Sequence, residues 1–278
     1  GKLGLSSAVN KQRGGRANAQ DPLEISLQEL FSDFNYENKV FFRAGKQNVK
    51  WGVGYFFSPA DVINIGRLDP LDPGAEREGP VALTVHYPRG STNYYLYTLL
   101  DDVDVISKVA LAPKMEFVVG GTEIGLGGFY QKDKAPRGML TFSSSLGDFA
   151  IFGEAVLSKG SDKAFAGDLP FHYPVYKKDQ LFFHTTVGAR YSHDDPEGLF
   201  NLTAAAQYYF NGEGYRKQEE VHNLRKYYGL LLITNPAEAA KIRLTDLGST
   251  GRHYLGAMVG WNKLLNTKLS VSIFLNSN

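Results

Sequence analysis

Residues 201–210 read Asn-Leu-Thr-Ala-Ala-Ala-Gln-Tyr-Tyr-Phe, and their side chains alternate in character. One parity holds Leu202, Ala204, Ala206, Tyr208 and Phe210, and the other holds Asn201, Thr203, Ala205, Gln207 and Tyr209. Successive side chains of a β-strand lie on opposite faces of its sheet, so this pattern predicts a strand with one apolar and one more polar face.

The same alternation recurs along the chain and predicts thirteen strands. The other twelve are expected at 3–9, 29–36, 39–47, 81–87, 94–100, 114–119, 123–130, 139–146, 149–157, 183–190, 253–261 and 268–276. The phase of the alternation slips between Leu27 and Leu30, which predicts either a β-bulge or a later strand start at that point.

The connections between these strands are alternately short and long. Short ones fall at 36–38, 88–92, 120–122, 147–148, 193–198 and 262–267, and long ones at 11–23, 48–79, 101–113, 131–137, 159–180 and 211–252. Outer-membrane barrels have short periplasmic turns and longer extracellular loops. The pattern therefore predicts an all-β fold, an antiparallel transmembrane β-barrel. Alternation alone would also suit a soluble β-sandwich or a lipocalin-like barrel.

The strand count predicts how the barrel is built. Single-chain bacterial barrels have an even number of strands, whereas thirteen are located here. We therefore expect about fourteen strands, with sixteen as the next estimate. This corresponds to one barrel domain over residues 1–278 that lacks at least one terminal strand.

Composition argues against several other classes of protein. No apolar run approaches the ~18 residues that a transmembrane helix needs. Lysine and arginine number 30 against 29 aspartate and glutamate residues, which offers no basic surface for nucleic acid. The chain has no cysteine and no His-Glu-x-x-His motif, so we expect neither a metal site nor any cofactor. The His193-Asp194-Asp195 run falls in a predicted tight turn, and we expect no enzymatic activity.

One segment carries a family resemblance. It comprises Phe41-Phe42-Arg43-Ala44-Gly45-Lys46-Gln47, then Trp51-Gly52, then Ser58-Pro59-Ala60-Asp61-Val62-Ile63-Asn64. It resembles bacterial porin-like outer-membrane proteins, among them alginate-export-like barrels, in which an R-x-G-x-Q strand leads into a W-G turn and a loop that folds back toward the pore. The resemblance covers about a tenth of the chain. It implies an outer-membrane channel or exporter, without indicating a particular solute.

The connection 48–79 is too apolar to extend into water. We expect it either to fold into the lumen as a constriction loop or to pack on the barrel rim or a neighbouring protein, and the sequence favours neither. The constriction-loop hypothesis rests on Trp51, Tyr55, Phe57, Asp61, Arg67 and Arg77. A second long connection, 211–252, contains a helix start with Asn235 as N-cap and Pro236 in the first turn.

Strand phase predicts which polar side chains line the lumen. They are Arg43, Gln47, Lys114, Glu116, Glu123, Glu154, His184, Arg190 and Gln207. A narrow pore lined with fixed charges selects solutes by charge and size. The sequence thus predicts a passive channel in the bacterial outer membrane, in contact with lipid and lipopolysaccharide and open to small hydrophilic solutes. The alternative is a structural barrel that anchors other envelope proteins.

Overall fold

The structure is a computed structural model that describes residues 2–10, 24–49, 51–64, 79–100, 108–166, 174–194, 201–237, 239, 250–264 and 267–277. Its strands are β1 (Lys2–Asn10), β2 (Glu24–Tyr36), β3 (Val40–Lys46), β4 (Val81–Arg89), β5 (Thr92–Leu99), β6 (Ala110–Val119), β7 (Thr122–Phe129), β8 (Arg137–Leu146), β9 (Phe149–Lys159), β10 (Ala164–Ala166), β11 (Pro174–Tyr176), β12 (Leu181–Asp194), β13 (Asn201–Asn211), β14 (His253–Leu264) and β15 (Thr267–Ser277). One helix, α1 (Gln218–Thr234), lies between β13 and β14.

Thirteen of these strands form a single antiparallel sheet in chain order, from β1 to β9 and then β12 to β15. Each of the thirteen strands predicted from the alternation overlaps one of them, so their positions are confirmed. Strands β10 and β11 pair only with each other, within the connection from β9 to β12. Among the described residues β1 and β15 do not pair, and a fourteenth strand stays a prediction.

Tight turns produce the short connections. Between β2 and β3, Glu37 and Asn38 have φ of 50° and 53°, and Lys39 N donates to Tyr36 O at 3.0 Å. Two successive positive φ values are typical of the type I′ turn, whose twist matches that of a hairpin. Between β6 and β7 the same role falls to Gly120 and Gly121, with φ of 56° and 82°.

The predicted bulge is present in β2. Ser6 pairs with Glu29 whereas Ser7 pairs with Leu27, so Gln28 is the additional residue on the β2 side. This extra residue accounts for the phase slip in the sequence. The strand itself begins five residues earlier than predicted, at Glu24.

The two faces of the sheet differ in an unusual way. One face carries large apolar side chains that are exposed, among them Leu96, Leu126, Leu140, Val187 and Leu255. The opposite face carries polar side chains that are buried, among them Thr84, Lys114, Thr141, Glu154, Thr186 and Gln207. We call the first the outer face and the second the loop face, because the chain between β3 and β4 covers it. A soluble fold would bury its apolar face instead.

The connection from β13 to β14 is more ordered than the sequence predicted. Helix α1 lies within the 211–252 connection, where the sequence predicted a helix start only at Asn235. It is held by side-chain packing, with Val221 and Leu231 against Phe165, Phe182 and Tyr215. The helix start predicted at Asn235 is present, since Ala239 N donates to Asn235 O at 3.1 Å. In the described part of the chain, no helix is both long and apolar enough to cross a membrane.

Candidate functional site

After β3 the chain does not leave the sheet but turns back across its loop face. We call residues 47–64 the inner loop. Its side chains and backbone contact residues of β6, β8, β9, β13 and β14, and Trp51 and Phe56 are almost completely buried. Such contacts place the inner loop over the middle of the sheet and not at its rim.

Trp51 begins this crossing. Its Nε1 donates to Met139 Sδ at 3.0 Å, and its ring lies edge-on to Tyr97 with the centroids 5.2 Å apart. Lys114 Nζ donates to the carbonyl oxygen of Trp51 at 3.1 Å and lies 5.2 Å from the ring centroid. The ring needs a gap in the sheet, because a Cβ added to Gly127 would lie 2.9 Å from Trp51 Cζ2.

Glu154 of β9 holds the next part of the loop. Its Oε1 accepts hydrogen bonds from Val53 N and Gly54 N, both at 2.6 Å, and from Ser58 Oγ at 2.8 Å. Its Oε2 accepts from Ala60 N at 2.8 Å. The side chain is buried, so four donors take the place of water around the carboxylate.

Gln207 of β13 holds the loop tip. Its Oε1 accepts from three consecutive backbone N–H groups, those of Tyr55 at 3.1 Å, Phe56 at 2.7 Å and Phe57 at 3.3 Å. Its Nε2 donates to Phe57 O and to Thr186 Oγ1, each at 2.5 Å. One neutral side chain thus provides partners for three successive N–H groups and one carbonyl oxygen of the loop tip.

Two glycines make this close approach sterically feasible. A Cβ on Gly52 would lie 1.9 Å from Ser58 Oγ and 2.7 Å from Glu154 Oε1. A Cβ on Gly54 would lie 2.0 Å from Phe57 O. The Trp-Gly pair noted in the sequence is therefore a packing requirement of the loop against Glu154.

Aromatic contacts fix the tip against the last strands of the sheet. The ring of Phe57 stacks on Tyr209 at 5.3 Å and lies 5.6 Å from Tyr254, measured between centroids. The guanidinium of Arg190 lies 5.5 Å from the Tyr55 ring centroid. These distances are in the range of favourable ring–ring and cation–π contacts.

The base of the loop is tied separately. Gln47 Nε2 donates to Ala82 O on β4 at 2.9 Å, and Gln47 Oε1 accepts from Thr84 Oγ1 at 2.9 Å. Asn64 Nδ2 donates to Val49 O at 2.7 Å and to Asp61 Oδ1 at 2.8 Å. The outgoing and returning chains are thereby joined, which closes the inner loop at its base.

Beside the base lies a cavity of about 700 Å³. Two ion pairs stand at it. Arg43 Nε and Nη2 donate to the two carboxylate oxygens of Asp33 at 2.7 and 3.0 Å, and Lys114 Nζ lies 2.5 Å from Glu116 Oε1. Bidentate geometry of the first kind is the strong form of an arginine–carboxylate contact.

The structure therefore brings together most of the residues predicted as a site. Gln47, Lys114, Glu154, Arg190 and Gln207 contact the inner loop or form its base, and Arg43 and Glu116 line the adjacent cavity. Glu123 is exposed on β7, and His184 lies farther off, with Nδ1 3.3 Å from Tyr209 Oη. Of the predicted loop residues, Trp51, Tyr55, Phe57 and Asp61 belong to the inner loop, while Arg67 and Arg77 lie outside the described residues.

Sequence reasoning missed Asp33, Met139 and Ser58. Asp33 could have been found, because the tight turn after Tyr36 fixes the hairpin register that pairs it with Arg43. Met139 and Ser58 are recognised only from three-dimensional contacts. In the ranges that the structure describes, no three His, Cys, Asp or Glu side chains are grouped so as to hold a metal ion.

Neither a protein-family model nor a curated protein sequence matches the chain. Among solved structures it is similar to OmpF of Salmonella typhi in complex with daunomycin, with 11% identity and a TM-score of 0.54 over 95% of this chain and 75% of OmpF. It is also similar to the outer membrane protein OmpT of Vibrio cholerae, with 10% identity and a TM-score of 0.47 over 92% of this chain and 81% of the other. A third similar structure is the outer membrane channel DcaP of Acinetobacter baumannii, with 11% identity and a TM-score of 0.46 over 93% of this chain and 70% of DcaP.

Proposed function

We propose that this chain is a porin-like channel of the bacterial outer membrane, a single barrel domain without enzymatic activity, through which small hydrophilic solutes pass. The likeness of its fold to that of OmpF supports this proposal. The observation that carries this proposal is the inner loop, which is folded onto a polar face while the apolar face stays exposed. In a membrane the outer face would contact lipid and lipopolysaccharide, and the loop face would line the lumen.

The inner loop would set the width of such a channel. Its buried aromatic side chains occupy the space over β6, β8, β9 and β13, so solutes would pass beside it. The direct test is single-channel conductance of the refolded protein in a planar bilayer. Steady open-channel current supports the channel. Stable insertion without current would instead support the alternative, a plugged barrel that anchors other envelope proteins. The number of aromatic side chains in the inner loop also favours this alternative.

The assignment of the outer face to lipid can be tested on β8, because neighbouring residues of this strand lie on opposite faces of the sheet. Leu140→Lys places a charge on the outer face, where it would meet hydrocarbon, and we expect the barrel to lose about 2–4 kcal/mol of stability in lipid. Ser143→Lys is the matched control, because Ser143 pairs with Glu123 on the other face. Urea unfolding in phospholipid vesicles measures both. Equal stability of the two variants would contradict the assignment of the faces.

The ion pair between Asp33 and Arg43 should influence the ion selectivity of the channel. Arg43→Gln leaves the Asp33 carboxylate unneutralised at the cavity, and a unit charge acting over a few ångströms near water is worth about 1 kcal/mol. We expect the cation-to-anion permeability ratio to rise about fivefold. Asp33→Asn/Arg43→Gln removes both charges and should return the ratio to that of the unmodified protein. Reversal potentials in a salt gradient give the ratio, and identical values for the single and double variants would refute this effect of the pair.

A further inference from the structure

The cavity at the base of the inner loop is a distinct feature of the loop face. It lies among β2, β3, β4, β5 and β6, and the outgoing chain at Gln47, Asn48 and Val49 forms one wall. Its volume of about 700 Å³ falls in the ~300–1,000 Å³ range of small-molecule sites. It is therefore large enough to hold a solute and not only water.

Charge in this cavity is locally cancelled. The charged side chains among its described lining residues are Asp33, Arg43 and Glu116. Arg43 is bound through two hydrogen bonds to Asp33, and Glu116 is paired with Lys114. An ion that entered would lose hydration without meeting an unbalanced counter-charge, which is unfavourable.

What remains on the walls is neutral hydrogen-bonding groups and aromatic rings. Asn35, Asn48, Thr84, Tyr95 and Tyr97 supply amides and hydroxyls. The hydroxyls of Thr84 and Tyr95 already bond to Gln47 and Glu116, and their oxygens can still accept a further hydrogen bond. The rings of His86 and Tyr95, which both line the cavity, are stacked with centroids 4.4 Å apart and 8° between their planes. Phe41 lies 5.9 Å from His86 and adds an apolar surface.

We propose that this cavity is a binding subsite for a neutral polyhydroxylated solute, a hexose-sized carbohydrate or polyol. Such a molecule carries many hydroxyls that both donate and accept, together with small apolar C–H surfaces, and it has no charge to neutralise. The lining meets each of these properties. The inference rests on the proposed channel function, because the solute would reach the cavity through the lumen, and it gives that channel a preference for neutral solutes over ions.

The test compares two solutes that share a ring. d-Glucose and d-glucuronate differ in that a hydroxymethyl group is replaced by a carboxylate. We expect glucose to reduce the single-channel current in a saturable way and glucuronate to do so more weakly. Tyr95→Phe removes one cavity hydroxyl and should raise the half-blocking glucose concentration about fivefold. Tyr94→Phe is the matched control, because it makes the same chemical change on the outer face, where Tyr94 is exposed.

Other results would overturn the proposal in identifiable ways. An open channel that glucose does not block, or that glucuronate blocks more strongly, removes the neutral subsite but leaves the channel intact. Equal effects of Tyr95→Phe and Tyr94→Phe would place the block elsewhere. If the protein inserts without conducting, the channel function fails. Calorimetric titration of the detergent-solubilised protein with glucose then decides the subsite alone, with binding that Tyr95→Phe weakens in support and no heat of binding against it.

Discussion

Glu154→Gln is expected to release the inner loop and raise the single-channel conductance. The amide keeps one acceptor oxygen but turns an NH₂ group toward backbone N–H groups that need an acceptor. At least one of the four donors would lose its partner, because Oε1 accepts from Val53 N, Gly54 N and Ser58 Oγ and Oε2 accepts from Ala60 N. Each buried donor left unsatisfied costs about 1–3 kcal/mol, so the folded loop should lose at least that amount of stability.

Two measurements check this expectation. Planar-bilayer recording should show a larger and noisier current, and limited proteolysis should cleave within residues 51–64 while the barrel stays folded. Glu123→Gln removes an exposed carboxylate from β7 and should leave the loop resistant to the protease. Ser58→Ala removes one donor of the four and should fall between the two. A Glu154→Gln barrel with unchanged conductance and a protease-resistant loop would show that this carboxylate does not hold the loop.

The strands could be predicted because each of them has the same division into an apolar and a polar face. A sheet with an exposed apolar face and a buried polar face imposes a period of two, and this period is visible in any single strand such as β13. Even the bulge at Gln28 shows as a slip of phase. Helix α1 leaves no comparable mark, because its place in the fold depends on distant contacts with Phe165 and Tyr215.

The path of the inner loop could not be predicted for a related reason. Its apolar composition showed that it must pack against something, but its two anchors lie far along the chain. Glu154 is 101 residues from Val53, and Gln207 is 152 residues from Tyr55. Strand phase assigned both to the polar face without showing what they bind. The same limit applies to the charges. Strand phase places Arg43, Lys114 and Glu154 on the polar face, but the partner that each one binds is visible only in the structure.

Gln207→Leu is expected to free the loop tip with an effect as large as that of Glu154→Gln. Leucine offers no acceptor to the N–H groups of Tyr55, Phe56 and Phe57 and no donor to Phe57 O. Gln207→Glu keeps the acceptor oxygens but sets a carboxylate oxygen against Phe57 O, so it should be intermediate. Conductance and proteolysis of the loop again give the order, which is unmodified protein, Gln207→Glu, then Gln207→Leu.

Glu154 and Gln207 both hold one short segment of the inner loop. We therefore expect their effects on conductance not to add in the double variant Glu154→Gln/Gln207→Leu. Residues in contact through a shared backbone segment have effects that do not add. Once either anchor is lost, residues 53–57 can leave the sheet together, and the second substitution has little bound loop left to release. The double variant should therefore conduct no more than the larger single variant. Additive increases in conductance would mean that Glu154 and Gln207 hold two independent parts of the loop, each of which narrows the lumen separately.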